Sequence, residues 1–288
     1  MAVSIQDFQS ERPTWCPGCG DFGVLNAMQK AAVNLGIAPE DVAVVSGIGC
    51  SGKMSQHFGG YGLHSLHGRS LPTAQAVKLA NRSLTVMAAG GDGDGYGIGM
   101  GHFIHAMRRN VDITYVVMDN HIYGLTTGQA SPTSDIGSRT KTSPEGSVEQ
   151  PIAPLQLALA QNCGFIAQAF SGNIKQLTSL IERAIKHRGF SLVNVFSPCV
   201  TFNKTQTYDF YKSNLVNLDE EPEYNPHDRV HALTKVAQAN NLVTGLVYED
   251  AERLSYEETA HGYPETPIAH EDWTLSQDDY QDILDTFR

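Results

Sequence analysis

At 288 residues the chain is long enough to bury most of its apolar surface, as one large domain or as a domain with an appendage. Its formal net charge of −11 excludes a general nucleic-acid binder, which needs a basic face. No apolar run is long enough to span a bilayer and no basic-then-apolar segment opens the chain, so a soluble, cytoplasmic protein with no membrane partner is expected.

Residues 1–14 are polar and aperiodic. Trp15-Cys16-Pro17-Gly18-Cys19-Gly20 follows. Asp21 is placed to cap a helix over 22–35, where Val24, Leu25, Met28, Ala31, Ala32 and Leu35 recur at helical spacing. Gly36 closes it. Residues 42–46 read as a short apolar strand running into Gly47-Ile48-Gly49-Cys50-Ser51-Gly52-Lys53, a loop of small residues. Residues 55–70 carry His57, His64, His67 and Arg69 among glycines and aromatics, and Pro72 opens a helix to about 81. A strand over 84–89 leads into Gly90-Gly91-Asp92-Gly93-Asp94-Gly95, then a helix from 98 to about 109. Residues 112–118 form the next strand, ending in Asp119-Asn120. The polar stretch 121–150 reads as a long loop, and loops of that length usually carry function. A helix (154–161), a strand (165–170), a helix (174–187) and a strand (192–196) follow.

This βα alternation predicts an α/β fold, a mostly parallel sheet with helices on both faces. In such sheets ligands bind beyond the C-terminal strand ends. The loops 47–53, 90–95 and 119–125 each follow a strand and are expected on one edge. Beyond 199 the pattern changes: 200–225 read as polar and irregular, with a helix near 229–240, a strand near 243–248 and a last helix near 277–287. The expected division is a cofactor-binding domain of residues 1–200 and a C-terminal extension, 201–288, packed on that domain or on a partner.

A strand running through glycines into a helix presents backbone N–H groups to a phosphate. Asp92 and Asp94 lie inside the glycines, and a carboxylate in a diphosphate loop is reasonable only with a hard divalent cation between them. Asp92 and Asn120, one strand–helix–strand unit apart, offer two oxygens to Mg²⁺; the plainer alternative is two ordinary turns. Five cysteines, an odd and scattered set, make a poor disulfide framework. Cys16-x-x-Cys19, with Cys50 and Cys199 at predicted strand ends, can make a tetrathiolate site, and spacing alone leaves cluster and zinc both open. Cys163 reads as a core thiol, and His57 and His64 as structural. Lys53, His67 and Arg69 lie where an anionic substrate needs cations. His102 and His105 fall three apart on a helix, a spacing that a polar helix face explains better than a metal pair.

The ordered set Trp15–Gly20, Gly47–Lys53, His67-Gly68-Arg69, Gly91–Asp94, Asp119–Thr126, Gly128–Thr133 and Ser197-Pro198-Cys199 resembles the β subunit of 2-oxoacid:ferredoxin oxidoreductases, most closely the 2-oxoglutarate type, over residues 12–205. The resemblance implies thiamine diphosphate, with Mg²⁺ on Asp92, Asn120 and the main chain of Ile122, and a pocket that also takes Ile48, Gly49, Cys50, Gly91, Gly93, Asp94, Gly124, Leu125 and Thr126. It implies one [4Fe–4S] cluster on Cys16, Cys19, Cys50 and Cys199. Lys53 and Leu125 would face the substrate, with His67 and Arg69 beside the site; a lysine at the first position suits a distal carboxylate. The implied reaction is coenzyme A-dependent oxidative decarboxylation of 2-oxoglutarate to succinyl-CoA and CO₂ with reduction of ferredoxin, and it is reversible. The implied partner is an α subunit that supplies an activating glutamate, in an (αβ)₂ heterotetramer. Pyruvate or another 2-oxoacid as substrate is the nearest alternative. A non-redox thiamine-dependent decarboxylase subunit and a zinc-stapled binding protein are the more distant ones. One departure is Ala76, where the family pattern has glycine.

Overall fold

The computed structural model describes residues 3–264 and 266–287. In chain order the elements are α1 (Asp21–Asn34), β1 (Val42–Ser46), α2 (Met54–His57), β2 (Tyr61–His64), α3 (Ser70–Ala80), β3 (Thr85–Gly91), α4 (Met100–Arg109), β4 (Thr114–Asp119), α5 (Pro154–Ala160) and β5 (Phe165–Phe170). They continue as α6 (Ile174–Lys186), β6 (Ser191–Phe196), α7 (Tyr208–Asn214), β7 (Val216–Asn217), α8 (Arg229–Gln238), β8 (Val243–Glu249), α9 (Tyr256–Thr259) and α10 (Gln277–Asp285). Each follows from local chemistry. In α6, Leu177, Leu180, Ile181 and Ala184 are buried at helical spacing while Lys175, Arg183 and Lys186 face solvent. Asn173 caps that helix by accepting from the Gln176 amide at 3.2 Å. Gly36 closes the end of α1 with a φ of +69°.

The strands form one sheet in the order β2-β1-β3-β4-β6-β5-β8-β7. Neighbours are parallel except β5 and β8, which run antiparallel. The fold is the mostly parallel α/β sheet that the alternation predicts. Side chains alternate across it: Val116 and Met118 of β4 enter a core under α1 and α6, whereas Tyr115 and Val117 enter a second core under α3, α4, α5 and α8. All six residues of β4 are buried, as a strand covered on both faces must be. Burying one such Val or Met side chain contributes roughly 1.5–3 kcal/mol.

Register then places the site. Ser46 pairs with Ala89, Gly91 with Met118, and Asp119 with Phe196. The C-terminal ends of β1, β3, β4 and β6 therefore lie along one edge, and the loops leaving them share a crevice.

Several segments differ from expectation. The glycine stretch begins as strand: β3 runs to Gly91 because Gly90 and Gly91 still pair with Val117 and Met118. A turn of π-helix over Gly93–Ile98 then precedes α4, which starts at Met100. Residues 55–70 hold β2, an edge strand whose four residues are all exposed. Residues 200–225, expected as irregular, contain α7, capped by the Thr207 hydroxyl, and β7, which pairs with β8. Residues 1–14 include a turn over Ile5–Phe8 whose Phe8 is fully buried against Phe58, ring centroids 5.1 Å apart. No helix among the described residues is long and apolar enough to cross a membrane.

Candidate active site

The three loops meet at a cavity of about 120 Å³. Its wall takes Ile48, Gly49, Cys50 and Ser51 after β1, His67 before α3, Gly91 to Asp94 after β3, and Asn120 with Ile122 to Thr126 after β4. Pockets that enclose a whole ligand run to ~300–1,000 Å³, so a volume this small has room only for part of such a ligand.

Asp92 is 1 % exposed. Its Oδ2 accepts from the Ser131 hydroxyl at 2.5 Å and the Thr133 hydroxyl at 2.7 Å. Its Oδ1 accepts no hydrogen bond among the described residues. Burial, and then the nearby Asp119 carboxylate, push its carboxyl up to about 6, against downward pulls from Ser131, His121 and Thr133. A carboxylate held this way gains a great deal from a cation. Asn120 makes an Asx-turn, its Oδ1 accepting from the Ile122 amide at 3.1 Å. His121 between them takes a φ of 57°, which brings Asn120 and Ile122 to the same cavity. Burial depresses His121, but Asp119, the Thr133 carbonyl and Asp92 outweigh it and raise its pKa.

Asp94 lines the cavity, yet its Oδ1 is occupied by protein. It accepts from His67 Nδ1 at 2.7 Å, the Gly68 amide at 2.8 Å and the Ile48 amide at 3.0 Å. It therefore pins the loops after β1 and before α3 to the loop after β3. Gly47 is required beside it, because a Cβ there would fall inside the Asp94 carboxylate. Tyr123 closes the far side, its hydroxyl donating to the Gly93 carbonyl at 3.1 Å.

Lys53 and Arg69 do not line the cavity. Lys53 Nζ donates to the Thr14 carbonyl at 3.3 Å, and Arg69 reaches the Gly68 carbonyl at 3.4 Å. Leu125 lines the cavity and is 52 % exposed. Sequence reasoning missed Ser51, Tyr123, Ser131, Thr133 and Asp119. Each lies in a run that carried the resemblance (Gly47–Lys53, Asp119–Thr126 or Gly128–Thr133), but no chemistry was attached to it there.

Four cysteines gather behind the Gly124 wall. A Cβ on Gly124 would lie 3.5 Å from Cys199 Sγ and 3.8 Å from Cys50 Sγ. The Cys19 amide donates to the Cys16 carbonyl at 3.0 Å, and the Gly20 amide to the Pro198 carbonyl at 3.2 Å, which seats the Cys16–Cys19 turn against the Cys199 segment. Trp15 Nε1 donates to the Cys50 carbonyl at 2.7 Å. Burial, then Asp21 and the neighbouring sulfurs, raise Cys19, and burial first of all pushes Cys50 up to about 11. Among the described residues, no three His, Cys, Asp or Glu side chains converge tightly enough for one metal ion. Cys163 is a core thiol, fully buried and donating to the Phe165 carbonyl at 3.3 Å. His57 is buried against Trp15, with centroids 5.3 Å apart, and lies outside the cavity.

The parallel strands β3 and β4, the glycine turn with its buried Asp92 and the Asn120 Asx-turn all lie within a stretch that matches a thiamine-diphosphate-binding domain. The family model described as "Thiamine pyrophosphate enzyme, C-terminal TPP binding domain" matches residues 47–195, and the model for the C-terminal part of the pyruvate ferredoxin oxidoreductase beta subunit matches residues 199–265. The 2-oxoacid:ferredoxin oxidoreductase subunit beta of Saccharolobus solfataricus is 41% identical over 274 residues, covering 89% of this chain and 90% of its own. The 2-oxoglutarate synthase subunit KorB of Archaeoglobus fulgidus is 41% identical over 214 residues, covering 72% and 80%. A solved 2-oxoglutarate:ferredoxin oxidoreductase from Magnetococcus marinus, with 2-oxoglutarate, coenzyme A and succinyl-CoA bound, matches with a TM-score of 0.85 at 42% identity over 89% of this chain and 88% of that one. The chain belongs to the 2-oxoacid:ferredoxin oxidoreductase β-subunit family, and it is one subunit of a multi-subunit oxidoreductase.

Proposed function

We propose that the protein is the β subunit of a 2-oxoglutarate:ferredoxin oxidoreductase. The enzyme converts 2-oxoglutarate and coenzyme A to succinyl-CoA and CO₂, passes two electrons to ferredoxin, and runs in either direction. The observation that carries the reading is the meeting of Asp92, Asn120 and Ile122 on one cavity, with one Asp92 oxygen held by hydroxyls and the other left for a cation. The relative and the solved structure named for 2-oxoglutarate support the substrate.

Hard oxygen donors fit Mg²⁺, and the enclosed volume fits a diphosphate end. In this reading Asp92, Asn120 and the Ile122 carbonyl hold the metal. Gly91, Gly93, Ile48 and Gly49 give the diphosphate close access to backbone, and Asp94 keeps those loops in register. Cys16, Cys19, Cys50 and Cys199 hold a [4Fe–4S] cluster. A four-iron cube spreads its thiolates more widely than a single ion does, which suits sulfurs that share a neighbourhood without converging. When bound, thiamine diphosphate supplies the carbon nucleophile for the 2-oxo carbon, and the cluster accepts single electrons. Gly124 lets the cavity and the cysteines approach closely, and Leu125 and His67 flank the substrate side. The small enclosed volume supports completion of the pocket by the α subunit in an (αβ)₂ assembly, which is read as cytoplasmic. Residues 201–288 are read as an extension on the cofactor domain of residues 1–200, a reading that the pairing of β8 with β5 supports.

A broader 2-oxoacid specificity is the second reading. It is favoured by Lys53, whose ammonium meets Thr14 and not the cavity. Co-purified α and β chains, assayed for thiamine, Mg, Fe and sulfide and then on a 2-oxoacid panel, decide between them. Bound cofactor, four irons per β chain and preference for 2-oxoglutarate are expected. Iron-free protein with full decarboxylation would overturn the redox reading, and equal turnover of pyruvate would overturn the substrate.

A further inference from the structure

We propose that Thr133, with Ser131 beside it, is a positioning residue for the metal: the segment that supplies Asn120 and Ile122 also folds back to aim the Asp92 carboxylate. This rests on the metal assignment proposed above. Ser131 and Thr133 are 8 % and 2 % exposed, and both hydroxyls lie on the same oxygen of Asp92, at 2.5 and 2.7 Å. Hydroxyls on Oδ2 fix the carboxylate plane and leave Oδ1 toward the cavity. Thr133 Oγ1 is also 2.8 Å from Asp119 Oδ1. Asp119 is 2 % exposed and adjoins Asn120. A threonine hydroxyl has one hydrogen, so Thr133 stands between two buried carboxylates and sets their spacing, while Ser131 keeps Asp92 satisfied whichever way that hydrogen points.

The turn holding these hydroxyls is fastened to the metal-side loop. Ser134 Oγ donates to the His121 carbonyl at 2.6 Å, and His121 Nδ1 lies 2.6 Å from the Thr133 carbonyl. His121 is the residue between Asn120 and Ile122. Within the turn the Ser131 amide donates to Ser134 Oγ at 2.8 Å, and the Ser134 amide to the Ser131 carbonyl at 3.1 Å. Residues 120–134 thus act as one piece that aligns all the protein's metal oxygens together.

Removing a group that orients a metal ligand typically weakens metal binding by about 10–100-fold. The test is Mn²⁺ binding to the cofactor-stripped αβ complex with thiamine diphosphate present, read from the free-Mn²⁺ paramagnetic resonance signal. Thr133→Val should raise the Mn²⁺ Kd by about 10–100-fold. It should leave iron content and the KM for the 2-oxoacid unchanged, with kcat restored at saturating metal. Thr133→Ser should stay near wild type. Ser131→Ala, which spares Asp119, should show a smaller loss and serves if Thr133→Val does not assemble. Wild-type Mn²⁺ affinity in Thr133→Val, or in Ser131→Ala when the valine variant is lost, overturns the proposal. Tight Mn²⁺ binding by Asp92→Asn would instead overturn the metal assignment beneath it.

Discussion

Asp94→Ala is the sharpest perturbation of the loop assembly. The Asp94 carboxylate accepts from the Ile48 and Gly68 amides and from His67. His67 is 43 % exposed at its side chain and can turn to water, but the Gly68 amide is in a buried bond and the Ile48 amide is partly buried. Hydrogen bonds to a charged group contribute about 1.5–3 kcal/mol each. Losing two therefore costs about 3–6 kcal/mol. Asp94 Oδ2 is buried without a partner, so removing the carboxylate also relieves some desolvation and favours the lower figure, about 3 kcal/mol. At 1.4 kcal/mol per tenfold that is roughly a hundredfold in the local opening equilibrium. Hydrogen–deuterium exchange of the αβ complex reads it directly. Peptides over 47–53 and 65–69 should exchange about a hundredfold faster, while the β5 peptide at 165–170 should not change. Asp94→Asn keeps a neutral acceptor and should fall between. An acceleration below about tenfold in Asp94→Ala would refute the assignment of Asp94 as the pin.

Gly93→Ala should strip thiamine diphosphate from the complex, because a Cβ there would enter the Tyr123 ring; full cofactor content would contradict the packing. Because the Lys53 ammonium meets Thr14 and not the cavity, Lys53→Ile should change the KM for 2-oxoglutarate and for pyruvate to the same extent; a rise for 2-oxoglutarate alone would place Lys53 on the substrate. His187 is buried with Nε2 unpartnered, and burial lowers its pKa below the ordinary 6.5. Below pH 6.5 the unfolded chain binds a proton that the folded chain refuses, so this contribution to stability is lost as the pH falls through that value and is constant above it. The wild-type melting temperature should therefore drop between pH 7.5 and 5.5 more steeply than that of His187→Gln; parallel curves would refute it.

The central sheet was legible because its physics is local. β1, β4, β5 and β6 are short apolar runs between turn residues, and a strand buried on both faces has to be such a run. β2 was not, since Tyr61–His64 pairs only with β1 and buries nothing. An edge strand under no demand from the core leaves no alternation to read. The same holds for α7, where a seven-residue helix buries only Tyr211, too little for a periodic stripe. β8 was read as a strand, but its antiparallel pairing with β5 depends on contacts across the fold.

The site divides the same way. Asp92, Asn120 and the cysteines could be named because carboxylate, amide and thiol carry their chemistry in their identity. Ser131 and Thr133 could not, because serine and threonine are ordinary turn residues. Their bonds to Asp92 span 39 and 41 residues of chain. The role exists only once the 121–134 loop has folded back over β3. Asp94 adds a role that its identity does not show. Its identity suggested the cofactor, and the fold gives its Oδ1 to three protein donors. Sequence spacing put Lys53 near the substrate, but the turn after Cys50 sends its side chain to Thr14. Residue type thus identifies which groups are able to bind a ligand. How free each group is depends on what the folded backbone has already placed around it: Asp92 has both hydroxyls on Oδ2, whereas Asp94 has Oδ1 bound by three donors and Oδ2 packed against Gly47.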